Sequence, residues 1–435
     1  MTNRPWFNSL LSKEQRSCII AEFGWKVGAP PPPLHDHSDA KLRLIAEYLE
    51  RYFPAILVSR GQTRQRITLV DGFCGGGKFT RDGAYTKGTP FLFLEAVENA
   101  ERQANVGRSK KLTIDAEFHF VDSNQHHIDF LRNELIQAGY SAKLDQSIFL
   151  HCSEFEQIFP DICRRIEVRT RGYVGRSIFL LDQKGYTDVT FETVRQILRF
   201  SAAECILTFA VGWLIDYLSN KPEVLQRVAP VELSADQIKE FLRLKGEWGG
   251  RYSVQRLLLR HISQATGAEF QSPFFLRSQE ARKDLWLVHL SKHLKARNVM
   301  VDSHWIINNQ SLHQGHGGLE MLGFDPNIDQ GGAPDFWFGA NDQTKMKERL
   351  AEDFMRRIHD QHRHAPISYS RFLTSIANET PARLTDLDNV TSLLVEEKEL
   401  DLRNEHNSAK RSSRPGQRDS IAIAREPRLW SFGKT

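Results

Sequence analysis

Cysteine is scarce in this chain: five residues in 435, at positions 18, 74, 152, 163 and 205. The number is odd and no two form a Cys-x-x-Cys pair, which excludes a disulfide framework and a zinc finger. No stretch reaches the roughly 20 apolar residues of a membrane-spanning helix, and the opening MTNRPWFNSLLSKEQRSC holds no apolar run of signal-peptide length. Charge of one sign is also lacking, since 58 basic and 54 acidic side chains leave only +4. Any nucleic-acid or membrane surface must therefore be local. These absences lead us to expect a protein of the reducing cytoplasm.

What is present is ordinary globular material, 40% apolar and 26% charged, which excludes wholesale disorder. At roughly 150 residues per domain the length predicts two or three domains. The first 35 residues read as an arm ending in the stiff segment Pro30 to Pro33. A helix is expected from Asp39, because Leu42, Ile45, Ala46, Leu49, Phe53, Ile56 and Leu57 recur at three- and four-residue spacing.

From about Arg66 short apolar runs alternate with amphipathic stretches. The runs are ITLVD (67–71), AEFHFVD (116–122), SIFLHC (147–152), SIFLLD (177–182) and ECILTFAV (204–211), with helices expected near 89–104, 124–138, 154–168 and 190–200. This spacing predicts an α/β fold, a doubly wound Rossmann-like core. A helical insertion is expected over about 213–270, then a strand at DLWLVHL (284–290) and a helix around 292–308. The core is bounded at 36–310. Gly-rich connecting loops follow over 311–349, and a C-terminal domain over 350–435. In that domain three helices and two strand-like pieces, ELDL (399–402) and SIAIA (420–424), give a winged-helix-like order. Thr380 and Pro381 are expected at the N-cap and first position of its third helix.

The most informative segment is ITLVDGFCGGGKF, in which Asp71, Phe73, Gly75 and Gly77 form Asp-x-Phe-x-Gly-x-Gly after a strand. In open α/β sheets ligands sit beyond the carboxyl ends of the strands, and glycine there lets backbone approach a ligand closely. The Lys-Ser/Thr ending of a triphosphate loop is missing. A carboxylate ahead of the glycines repels pyrophosphate but suits a cationic ligand such as S-adenosylmethionine, which carries an ammonium and a sulfonium. Asp122 closes the second strand, where it can accept from ribose hydroxyls or simply cap the following helix. Ser153 after the third strand either flanks an adenine or caps a helix. Asp182 and Tyr186 follow the fourth strand, where an acid and an aromatic ring can face the reactive methyl group. Lys184, which a sulfonium would repel, is expected to point outward or toward an anionic substrate. Three aspartates at strand ends also suit a hydrated divalent metal, but that reading leaves the glycine loop without a role, and no metal site is assigned.

With these motifs in place, the chain resembles the three-Cys-motif partner family, bacterial proteins whose core is similar to class I S-adenosylmethionine methyltransferases. The resemblance is carried by His37-x-x-x-Lys41 in a helix with Tyr48, by Asp71 to Gly77, by Gly88-Thr89-Pro90, by Asp182-x-x-Gly185-Tyr186 and by LWLVHLSKH (285–293), in that order over about residues 35–310. It implies a methyltransferase-like fold, a three-Cys-motif protein as a partner, and a mobile-element or phage-defence setting. Family members more often carry Ala-Gly-Pro-Gly and Asp-Pro-Phe-Gly where this chain has Cys-Gly-Gly-Gly and Asp-Gln-Lys-Gly. His37 and Lys41 lie on one helical face. They either reach the cofactor or substrate pocket or form a solvent-facing pair.

Between residues 403 and 418 stand Arg403, Lys410, Arg411, Arg414 and Arg418 against a single acid, Glu405. In a winged helix this is the wing, and it predicts salt-sensitive phosphate contacts with nucleic acid. A solvated loop or a protein-binding surface is the alternative. His313 and His316 lack a third nearby ligand, and Phe336, Trp337 and Phe338 read as packing residues. Two functions remain open: a methyltransferase-like enzyme acting on nucleic acid, or a non-catalytic adaptor that binds a nucleotide or a protein partner.

Overall fold

A computed structural model of the protein describes residues 24–247, 250–278, 283–307, 313–314, 335–336, 340–362 and 365–424. The first 23 residues, His316, Trp337, Phe338 and most of the Gly-rich stretch lie outside the described residues. The chain divides into two compact units, Met1–Gln183 and Lys184–Thr435.

In the first unit, helix α1 (Asp36–Ile56) precedes strand β1 (Arg64–Asp71). A short hairpin, β2 (Lys78–Arg81) and β3 (Ala84–Lys87), leads to helix α2 (Thr89–Ala104). Then follow β4 (Thr113–Asp122), α3 (Gln125–Gln137), β5 (Ile148–Cys152), α4 (Phe155–Thr170) and β6 (Arg176–Leu181). Strand β1 pairs in parallel with β4 on one side and β6 on the other, and β4 pairs in parallel with β5. Ile67, Thr68, Leu69 and Val70 of β1 are all buried, as befits a strand covered on both faces.

The helix starts follow local chemistry. Asp36 and Asp39 occupy the first turn of α1, where carboxylates suit the positive end of the helix. Pro90 stands in the first turn of α2, and Asn124 caps α3 by accepting from the His126 amide at 2.9 Å. Ser153 is not a cap: Glu154 precedes α4, and the Ser153 hydroxyl donates to the Glu154 carbonyl at 3.1 Å.

The second unit begins with helix α5 (Phe191–Ile197) and strand β7 (Ala203–Phe209). Among the described residues four helices follow: α6 (Val211–Tyr217), α7 (Pro222–Val228), α8 (Ala235–Lys245) and α9 (Gly250–Thr266). Strands β8 (Phe270–Ser278) and β9 (Lys283–Ser291) return antiparallel, with β9 also antiparallel to β7. The strands follow one sheet order, β5-β4-β1-β6-β7-β9-β8, a mostly parallel seven-stranded α/β arrangement of Rossmann-like type.

Helix α10 (Leu294–Ile307) follows, then the two-residue strands β10 (His313–Gln314) and β11 (Asp335–Phe336). The C-terminal elements are α11 (Ala340–His362), β12 (Ile367–Ser368), α12 (Tyr369–Ile376), α13 (Leu384–Glu396), β13 (Leu400–Arg403) and β14 (Ser420–Ile423). The last three strands form an antiparallel sheet in the order β12-β14-β13. Their core, including Met346, Phe354, Phe372 and Leu387, also takes in Val301 and Trp305 of α10. Buried Arg297 of α10 donates to the Ala382 carbonyl at 2.5 Å and to the Thr380 carbonyl. Trp305 donates to the Pro381 carbonyl at 2.9 Å. With these carbonyls held, Thr380 lies in extended backbone and Arg383, not Thr380, precedes α13. The helix starts at Leu384, where Asp386 accepts from the Arg383 amide at 3.2 Å.

Candidate functional site

The first unit hangs its glycine loop between neighbouring strand ends. The Gly72 amide donates to the Leu180 carbonyl of β6 at 2.9 Å, and the Cys74 amide donates to the Val121 carbonyl of β4 at 2.9 Å. Gly75 and Gly77 take left-handed backbone angles (φ +57° and +73°), which other residues resist. The Gly88 amide donates to the Gly77 carbonyl at 2.7 Å and closes the neck of the hairpin. A Cβ on Gly88 would stand 3.0 Å from the Gly77 backbone, which accounts for glycine at position 88.

Three carboxylates stand at the ends of the strands next to this loop. Asp71 is buried and accepts from the Phe73 amide at 3.1 Å. Burial, aided by the charges of Asp182 and Asp122 and opposed by the Phe73 amide and Lys41, pushes its carboxyl up to about 8. Asp122 spans the loop and the next helix. Its Oδ2 accepts from the Gly75 amide at 3.1 Å, and its Oδ1 accepts from the Asn124 amide at 2.8 Å and lies 3.1 Å from His127 Nδ1. Asp182 stands just beyond β6, with Lys41 Nζ 2.6 Å from each carboxylate oxygen.

Phe73 packs its ring 6.3 Å from that of Phe155, and His37 stacks on His35 at 5.7 Å. Ser153 donates its amide to the Asp122 carbonyl at 3.1 Å. In the second unit, Tyr186 is buried with its ring 5.9 Å from Phe209, and burial raises its hydroxyl above the ordinary range. Lys184 is exposed. In the loop between β13 and β14, Lys410 pairs with Asp419 at 2.6 Å and Arg418 with Glu405 at 3.3 Å, while Arg411 and Arg414 are exposed. Two of the acids of α13 are engaged within the unit, Asp386 with Arg383 and Asp388 with the Tyr369 hydroxyl at 2.7 Å.

Two participants were not identified from sequence. Trp25 lies against Gly75 and Gly76, where an added Cβ on Gly75 would be 2.7 Å from the indole and one on Gly76 would overlap it. His127 touches both Asp122 and, at 4.9 Å between rings, Trp25. Burial and the charges of Asp71 and Asp122 raise the Cys74 thiol well above its ordinary range.

No family model matches the chain, and no curated protein matches it. Among solved structures it is similar to a Legionella pneumophila protein of the DUF519 family model, at 9% identity and TM-score 0.30, covering 59% of this chain and 86% of that one. It is similar to a SAM-dependent methyltransferase from Agrobacterium tumefaciens, at 11% identity and TM-score 0.28, covering 57% of this chain and 61% of that one. It is also similar to the N-terminal domain of EvdMO1, solved in the presence of SAH and D-fucose, at 12% identity and TM-score 0.29, covering 65% and 98% of the respective chains.

Proposed function

We propose that the first unit binds S-adenosylmethionine at the end of β1, within a methyltransferase-like core. The observation that carries this is the gathering of three carboxylates at strand ends around the glycine loop: Asp71, buried and bonded to the Phe73 amide, Asp122, bonded to the Gly75 amide, and Asp182. Such a cluster favours a cation, and a ligand bearing an ammonium and a sulfonium supplies two. Asp71 and Gly75–Gly77 would face the methionine end, and Asp122, already tied to the Gly75 amide, would accept from the ribose. Phe73 and Ser153 would line the remainder. The sheet order, with β9 antiparallel between β7 and β8, is that of the class I methyltransferase sheet and supports this reading.

Methyl transfer would be mostly positioning of an activated donor. Asp182 would orient the acceptor, with Lys41 fixing its carboxylate, and Tyr186 would pack behind it. Nucleic acid is the proposed acceptor or partner. The order α11-β12-α12-α13-β13-β14, with β12 and β13 flanking β14, supports a winged helix whose wing presents Arg411 and Arg414. We place the protein in the cytoplasm, and the three-Cys-motif partner resemblance, with its phage-defence setting, as part of this proposal. None of the described helices is long and apolar enough to cross a membrane.

A non-catalytic adaptor that binds a protein partner, such as a three-Cys-motif protein, is the second reading. It is favoured by the closure of both Asp182 oxygens by Lys41. Equilibrium dialysis with radiolabelled S-adenosylmethionine decides between them: binding by the full chain and its loss in Asp122→Ala support the first. Retention of no label by either protein favours the second.

A further inference from the structure

We infer that Trp25 is a built-in occupant of the ligand face of the glycine loop, which a cofactor must displace in order to bind. This rests on the reading that Gly75–Gly77 receive S-adenosylmethionine. The loop glycines divide by what they face. A Cβ on Gly77 would meet Leu131 at 2.8 Å, Phe91 at 3.4 Å and Pro90 at 3.5 Å, so this glycine serves the packing of the flanking helices. Gly75 and Gly76 instead face the indole. The atoms nearest an added Cβ at Gly75 and Gly76 belong to Trp25 and to no helix, and glycine at such positions gives a ligand access to backbone. Trp25 therefore sits on the access side.

Its contacts are those of a small aromatic ligand. The indole Nε1 donates to the Lys78 carbonyl. The ring meets Phe79 edge-on at 5.2 Å and His127 edge-on at 4.9 Å. His127 Nδ1 lies 3.1 Å from the Asp122 carboxylate, so the indole is one side chain removed from the acid assigned to ribose.

The segment carrying Trp25 is built to move independently of its anchor. Residues 26–30 are exposed and turn at Gly28 (φ +83°), closed by one bond from the Ala29 amide to the Lys26 carbonyl at 3.0 Å. Beyond the turn, the Thr80 amide donates to the Pro32 carbonyl at 2.9 Å and the Leu34 amide to the Thr80 carbonyl at 2.8 Å. The Thr80 hydroxyl donates to the Pro31 carbonyl at 3.0 Å. The indole can leave its seat while residues 31–34, and α1 with Lys41, stay in place. Apparent affinity is then the intrinsic affinity multiplied by the fraction of molecules with an open seat.

The test is calorimetric titration of S-adenosylhomocysteine into the full-length wild type, Trp25→Ala and Trp25→Phe. Trp25→Ala is expected to bind about tenfold tighter than wild type, with Trp25→Phe in between because it keeps a ring but loses the bond to Lys78. Binding by Trp25→Ala that equals or falls below that of a binding wild type overturns the inference and leaves the cofactor reading standing. No binding by any of the three, with their thermal unfolding unchanged, overturns the inference and the cofactor reading together.

Discussion

Lys41 Nζ stands 2.6 Å from both carboxylate oxygens of Asp182, joining a residue before the first strand to one 141 positions later. The pair fixes helix α1 to the end of β6 at the place assigned to the acceptor. Both side chains keep some solvent access, 14% and 34%, so solvent screens much of their attraction. Lys41→Ala and Asp182→Asn should each cost about 1 kcal/mol of stability in urea unfolding. The double variant should cost less than the sum, with a coupling of about 0.5 kcal/mol or more. Strict additivity would show that the pair holds nothing together.

Asp71 predicts an unusual pH dependence. Its carboxyl is raised from 3.8 to about 8, chiefly by burial, so the folded state keeps a proton that the unfolded chain has lost. Its contribution to stability therefore falls as pH rises from about 4 to about 8. Asp71→Asn removes that slope and should melt higher than wild type at alkaline pH. The same variant should bind S-adenosylmethionine more weakly, since the carboxylate facing the cation is gone. Melting scans across pH check the first part, and a variant with unchanged slope would place the titration elsewhere.

Glu117, nearly fully buried on β4, gathers His119 at 2.9 Å, Arg165 at 2.7 Å and Arg169 at 3.3 Å. Burial opposes its ionisation, but the bonds from His119 and Arg165 and the charge of Arg169 bring its carboxyl down to about 2. A lowered value means stability that is full above the ordinary 4.5 and is lost as pH falls toward about 2. Glu117→Gln should cost about 2–3 kcal/mol at neutral pH, below the range for a fully buried pair because Arg165 is partly exposed. It should also flatten the acid limb of the melting curve. An unchanged acid limb would contradict the assignment.

The basic loop predicts a salt effect. Arg411→Ala with Arg414→Ala should weaken binding to duplex nucleic acid similarly across sequences and reduce the salt slope by about 2. Gel-shift titrations over a range of salt measure that slope, and an unaltered slope would remove the loop from the interface.

The strands and helices around the candidate site were legible because their patterns are local. The run ITLVD lies within β1 and ends with it at Asp71, and helix α2 spans the expected 89–104. The hairpin after the glycine loop went unread, although Arg81-Asp82-Gly83-Ala84 carries the Asp-Gly pair of a tight turn, with both residues at positive φ. Thr380 and Pro381 read as a helix start, yet α13 begins only at Leu384, because the carbonyls of 380–382 are held by Arg297 and Trp305, which local patterns do not reveal. The same limit hid the site's internal contacts. The glycines at 75 and 76 invite close approach, but only the fold brings Trp25 to them, from some fifty residues earlier. Lys41 shares a helical face with His37, but only the fold shows that its partner is Asp182, beyond the fourth strand of the parallel set.

The most direct measurement is calorimetric titration of S-adenosylmethionine into the wild type and Asp122→Ala, each run in two buffers of different ionisation enthalpy. The account predicts micromolar binding by the wild type, proton release as the cationic ligand draws the carboxylate form of Asp71, and loss of binding in Asp122→Ala. Folded wild-type protein that gives no binding heat at millimolar ligand in either buffer would contradict it.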